Sequence, residues 1–178
     1  MNEKNTFWQH AGKAGLVLGG VSIAYLVITS LTGLLAAKIG GNFLISIFNF
    51  ILWLAKFAGC IYLMLFFMRS YASSRPAGTG ASPFVFGMTV AYLSALVYST
   101  AILIFISYIA PDALSEAFDA MRENPMMDSN GLAFLDSLEA RKESFVFIVN
   151  LIYCTLFGTI VAAILSGSVQ SKNPFEQN

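Results

Sequence analysis

The chain has 178 residues, of which 57% are hydrophobic and 14% aromatic, while only 11% are charged; its mean hydropathy is +0.70. Water-soluble domains carry about 25% charged residues, so an ordinary soluble protein is not expected. Ten Lys and Arg balance ten Asp and Glu, which leaves no basic footprint for nucleic acid.

A helix needs about 20 mostly apolar residues to cross a hydrocarbon core about 30 Å thick. Four stretches have that length: Ala14 to Ala37, Phe43 to Met68, Phe84 to Ile109 and Phe145 to Ser168. In lipid each backbone polar group must be satisfied within its own segment, and none of these runs alternates apolar and polar residues as a barrel strand does. The expected fold class is all-α, an integral membrane four-helix bundle forming one membrane domain over residues 1–178.

The first run follows Lys4 and Lys13 and is longer than the about 7–15 residues of a signal core. It is expected to remain as a permanent span, with Phe7 and Trp8 as interfacial aromatic anchors. Lys38 to Asn42, with Gly40 and Gly41, reads as a tight turn joining the first two spans into an antiparallel hairpin. Arg69 to Pro83 is a small-residue linker.

The stretch from Ala110 to Ser144 is the one substantial extramembrane region. Pro111 and Asp112 mark a helix start, Leu114, Phe118 and Met121 form one apolar face, and Asn124 with Pro125 ends the helix. A second start falls at Ser129 or Asn130, with Leu132, Leu135 and Leu138 on one face, and this helix is expected to run straight into the fourth span. The result is a small amphipathic helical hairpin carrying eight acids and three bases. It is not a calcium loop: with Gly131 at the sixth position, Met126 and Ser137 fall where carboxylates are required.

Orientation follows from Lys and Arg near the span ends. With the N-terminus inside, Lys4, Lys13, Arg69, Arg75 and Lys172 are cytoplasmic, against Lys38, Arg122, Arg141 and Lys142 on the other side. The expectation is a multi-pass protein of a bacterial inner membrane with both termini cytoplasmic.

Membrane helices associate through small residues and polar contacts rather than through the hydrophobic effect. The first span carries Gly12, Gly15, Gly19 and Ser22, the third Gly87, Ala91, Ala95 and Ser99, and the fourth Gly158, Ala162 and Ser166. These seams are expected to pack the bundle internally, with homo-oligomerisation as the alternative use.

Lys56 is the anomaly. It lies mid-way along the second span, where a lysine costs about 2.5–3.5 kcal/mol on an insertion scale that returns about 0.3–0.6 for each Leu, Ile or Phe. The span still inserts, but the amine is expected to face protein or water. Asn42, Asn49 and Lys56, seven residues apart in turn, share one face. Tyr25, Tyr98, Ser99, Asn150 and Tyr153 are expected at similar depth and complete a candidate intramembrane polar site. None of the four runs contains Asp or Glu, so Lys56 is expected to meet a tyrosine hydroxyl or an anion such as a lipid phosphate.

Other chemistry is sparse. His10, Cys60 and Cys154 cannot supply the three or four converging donors of a metal centre, and the cysteines read as apolar packing residues. Gly78 and Gly80 lack the lysine of a phosphate loop. No catalytic residue, cofactor or metal is expected.

Arg69 with its Gly-containing linker, Ser82-Pro83-Phe84-Val85-Phe86-Gly87 before the third span, Ala110-Pro111-Asp112 after it and Lys172-Asn173-Pro174-Phe175 in the tail form a pattern. It resembles that of uncharacterised Bacteroidota four-span membrane proteins grouped as a domain of unknown function. This chain has Arg69-Ser70-Tyr71 where many members carry a more polar Arg-Asp-rich loop. The resemblance implies an inner-membrane bundle of unassigned activity. A structural or accessory subunit is the expected role, not an enzyme. The alternative is a small transporter or a binder of an anionic lipid or polyprenyl phosphate using Lys56. The partners are the bilayer, then a membrane protein or second copy, or an anionic lipid.

Overall fold

In a computed structural model, residues 3–39, 42–74, 81–124 and 128–169 are described. The Gly40–Gly41 turn, Arg75 and the glycines of the linker, Pro125, Met126 and the tail motif from Lys172 lie outside the described residues, as do the side chains of Lys4, Lys38 and Asn42. The described residues are helical and contain no strand: Glu3–Ile39 (α1), Asn42–Ser73 (α2), Pro83–Ile104 (α3), Asp112–Arg122 (α4), Ser129–Glu139 (α5) and Lys142–Ser166 (α6).

Four segments are long and apolar enough to cross a membrane, Thr6–Leu34, Phe43–Ser73, Pro83–Ile109 and Lys142–Ser166. Their outer faces are oily: Leu44 is 76% exposed and Ile164 71%, which a water-soluble monomer does not tolerate over a contiguous surface. The fold is an all-α membrane bundle. At 37 residues, α1 is about 55 Å long at 1.5 Å per residue, so it extends beyond the hydrocarbon and places Phe7 and Trp8 within the helix rather than before it.

Local signals explain the boundaries. Ser82 caps α3, its hydroxyl accepting from the Val85 amide at 3.3 Å, and Pro83 stands where its missing N–H costs nothing. The far end of α3 relaxes into a π-helical turn, Phe105–Ile109, closed by the Ala110 amide donating to the Phe105 carbonyl at 2.9 Å. Ala110 leaves helical geometry because Pro111 follows it. The Asp128 carboxylate accepts from the Gly131 amide at 2.7 Å and starts α5. Contrary to the sequence expectation, α5 does not continue into the fourth span. It ends at Glu139, Arg141 takes a non-helical conformation, and α6 begins at Lys142.

The packing centres on α3, whose main neighbours are α1 and α6; α2 lies against α1 and meets α6 only weakly. The glycine seams account for this arrangement. A Cβ on Gly15 would stand 2.7 Å from Leu93 Cβ, and one on Gly19 2.8 Å from a Val97 methyl, so α1 touches α3 through bare backbone. Gly87 of α3 faces Ala162 of α6, and Gly158 of α6 faces Ala91 of α3. The seams are thus used within the chain, although Gly12 and Gly33 face open space.

Start of α1, end of α2, start of α3 and end of α6 meet in one aromatic plug. Tyr71 stacks on Phe86 with ring centroids 4.0 Å apart, Phe7 meets both edge-on, and Met68 and Val169 close the cluster. At the opposite end α4 and α5 form a short helical hairpin between α3 and α6. Phe118 and Leu135 are buried in it, and Arg122 pairs with Asp119 at 2.9 Å, Asp136 at 2.8 Å, and Glu139. Hydrogen bonding to Asp136 first, then to Glu139 and Asp119, holds the guanidinium pKa above its ordinary value. Lys142 at the head of α6 donates to Ser115 Oγ at 3.0 Å, tying hairpin to span.

Candidate functional site

Because α3 draws α1 and α6 to itself through small residues, α2 is left with a gap towards α6. The gap is a cavity of about 270 Å³ walled by all four spans. Ser22 comes from α1, Lys56 and Cys60 from α2, Ser94 and Tyr98 from α3, and Cys154 from α6.

Lys56 is half-buried, not turned out to lipid. Its Nζ lies 4.7 Å from the centroid of Tyr25 and 5.1 Å from that of Tyr98, between ring faces of α1 and α3. Ring quadrupoles attract a cation by about 0.5–2 kcal/mol each, the larger value applying where water is excluded. Among the described residues no carboxylate pairs with Lys56 and no side chain accepts a hydrogen bond from it. Two rings offset part of the desolvation of an amine at this depth. They do not supply a negative charge.

The other residues expected from sequence divide into three places. Ser99 is fully buried and accepts from Asn150 Nδ2 at 3.0 Å, while Cys154 Sγ donates to Asn150 Oδ1 at 3.7 Å, making an α3–α6 chain at one edge of the cavity. Asn49 lies nearer the α1–α2 turn and is occupied there, accepting from Thr32 Oγ1 at 2.9 Å. Tyr153 stands at the rim, 67% exposed, with its ring stacked on Phe157. Only Tyr25 and Tyr98 therefore face Lys56 directly; Asn49 shares its helix face but serves a separate contact.

The structure adds residues that sequence reading did not place in the site. Trp53 and Cys60 flank Lys56 at the helical spacings of three and four and line the same cavity, a signal available once Lys56 had been singled out. Phe50, Trp53 and Phe57 form a stacked row on α2, and Tyr153 and Phe157 form another on α6. The two rows touch through Phe57 and Phe157, with centroids 5.8 Å apart. Cys60 and Cys154, expected as packing residues, are free thiols on the cavity wall. Among the described residues no cluster of His, Cys, Asp and Glu is arranged to hold a metal ion.

This arrangement can hold an amphiphilic molecule by one charge and a sheath of aromatic contacts. Among the described residues lining the cavity it has no acid or base other than the amine, the thiols and the tyrosine hydroxyls. Neither the curated proteins nor the solved structures contain a match to this chain. Residues 13–166 match a protein family, and the chain belongs to it: the family described as Protein of unknown function (DUF4199).

Proposed function

We propose that this multi-pass membrane protein is a binder of an anionic amphiphile and not an enzyme, with Lys56 supplying the counter-charge inside the bundle. The observation that carries this reading is the Lys56 amine, set between two tyrosine faces in a cavity whose described lining residues include no carboxylate. An ionisable group within the membrane is costly and is generally kept for a site or pathway. A lysine with a purely structural role would be replaceable by leucine or methionine at a gain in insertion energy. The reading places the protein in a bacterial inner membrane with both termini cytoplasmic. Lys13 and Arg69, both exposed, sit at the end of the bundle that this reading assigns to the cytoplasm, opposite Arg122, Arg141 and Lys142.

The test is lipid analysis of the protein purified in mild detergent, read by native mass spectrometry for wild type and Lys56→Met. An anionic amphiphile retained by the wild type and lost from the variant, with helical content unchanged by circular dichroism, is the expected result. Equal occupancy in both proteins refutes the proposal. A second reading, an accessory subunit docking through the extramembrane hairpin, is favoured by Met121 and Phe134, which are exposed outside the spans. It predicts co-purification of a membrane partner that is lost on Phe134→Ser.

A further inference from the structure

We infer that the ligand of the Lys56 cavity is a single-chain carboxylic acid that enters sideways from the bilayer between α2 and α6. This rests on the anion-binding reading above and narrows it by depth, volume and charge.

Depth comes first. Lys56 lies thirteen residues after Phe43 and seventeen before Ser73, the limits of the apolar segment of α2. At 1.5 Å per residue and a core about 30 Å thick, its Cα is about 3 Å from the midplane. Its Nζ does not climb from there towards an interface, because it is seated on Tyr25 and Tyr98. A phosphodiester headgroup is anchored at the interface and keeps its charge at any accessible pH. To reach the amine it would have to cross half the hydrocarbon as an ion, which is strongly disfavoured. A carboxylic acid reaches the midplane as neutral R–COOH, since a carboxyl group in an apolar medium sheds its charge by holding its proton.

Volume is the second constraint. About 270 Å³ is just below the span of drug-sized ligand pockets, which run from about 300 to 1,000 Å³. It accommodates a headgroup with the first part of one chain, the rest of the tail lying outside in lipid. Two acyl chains and a glycerol do not fit. The weak α2–α6 contact is the side through which such a tail leaves, past exposed Trp53 and Tyr153 and beside the Phe57–Phe157 ring contact.

Charge is the third. A phosphomonoester carries about −1.5 to −2 near neutral pH, more than one amine cancels, and the described cavity wall offers no second cation. One carboxyl against one amine sums to zero with the proton on either partner, R–COOH with R–NH2 or R–COO− with R–NH3+. With the ion pair formed, the amine has the acceptor that the described residues do not provide.

The experiment uses the full chain in neutral-lipid nanodiscs, with oleic acid labelled with ¹³C at its carboxyl carbon as the probe. Farnesyl phosphate and phosphatidylglycerol serve as parallel arms. Wild type is expected to retain oleate, and Lys56→Met to lose it by about tenfold or more, the scale of removing one partner from a buried charge pair; Lys56→Arg restores it. The bound carboxyl resonance is expected to stay in its ionised position to a lower pH than the same label shows in protein-free nanodiscs. This readout needs no variant and holds if Lys56→Met fails to fold. Lys56-dependent binding of farnesyl phosphate or phosphatidylglycerol without oleate overturns this inference and leaves the anion-binding reading standing. Oleate held equally by Lys56→Met, or titrating as in free lipid, overturns the inference as well. No Lys56-dependent binding in any arm removes both.

Discussion

Gly158→Ala adds one methyl group at the place where α6 presses hardest on α3. The new Cβ would lie 2.6 Å from Ala91 Cβ and 3.4 Å from Ala91 Cα, with no flexible side-chain end to move aside. Carbon atoms rest at about 3.5–4.0 Å, so the two helices must part by about 1 Å, and a gap of that size forfeits a quarter to a half of each dispersion contact it opens. The loss spreads one turn along the seam, where a Cβ on Gly87 would stand 2.8 Å from Ala162 Cβ. In lipid this packing is the main term holding helices together, and overpacking costs about 1–3 kcal/mol. Replacing Gly by Ala returns up to about 1 kcal/mol of helix propensity, which leaves a net destabilisation of about 0–2 kcal/mol. Gly12→Ala supplies the control, since nothing stands within 4 Å of its added Cβ; it should gain the propensity term alone. The assay is reversible unfolding in mixed micelles of increasing SDS fraction, followed by circular dichroism. If Gly158→Ala proves as stable as Gly12→Ala, the α3–α6 seam is not the close contact described here and the origin of the α2–α6 gap must be sought elsewhere.

Other consequences follow from the same geometry. Ser99→Ala removes the acceptor of Asn150 and should cost about 0.6–1.7 kcal/mol, the range of interhelical hydrogen bonds in membranes, in the same unfolding assay; no loss would mean that Asn150 finds another partner. Arg122→Met removes the two ion pairs that join α4 to α5, with Asp136 and Glu139, together with the Asp119 pair within α4, so amide exchange should accelerate in both hairpin helices and not in the spans. The same acceleration in wild type at high salt is expected, because these pairs are open to solvent and screened. For orientation, a cysteine at exposed Ser129, with Cys60 and Cys154 replaced by Ala, should react with an impermeant thiol reagent in intact cells. Labelling only after the membrane is opened would reverse the assigned topology.

The four helices long and apolar enough to cross a membrane, and the place of Lys56 along α2, were legible in the sequence because they depend on local quantities: the length of each apolar run and the 3.6-residue repeat that fixes which residues share a face. Ser82-Pro83 and Ala110-Pro111 likewise lie at boundaries, since caps and prolines act on the backbone beside them, whereas the second hairpin helix, expected to start at Ser129 or Asn130, is capped by Asp128. What periodicity could not decide was which seam meets which. The sequence leaves Gly15 and Gly19 free to face any neighbour; that they and the Gly87–Ala162 and Gly158–Ala91 pairs all converge on α3 follows from how four surfaces fit together at once. The cavity beside Lys56 is the remainder of that fit, the space left when α3 takes two partners and α2 is held off α6. For the same reason Tyr25 and Tyr98 sit against the amine while Asn49 bonds Thr32 and Tyr153 turns to the rim: a shared depth is a property of each helix alone, but a shared pocket depends on the rotation of every helix about its own axis, and that is set only by packing.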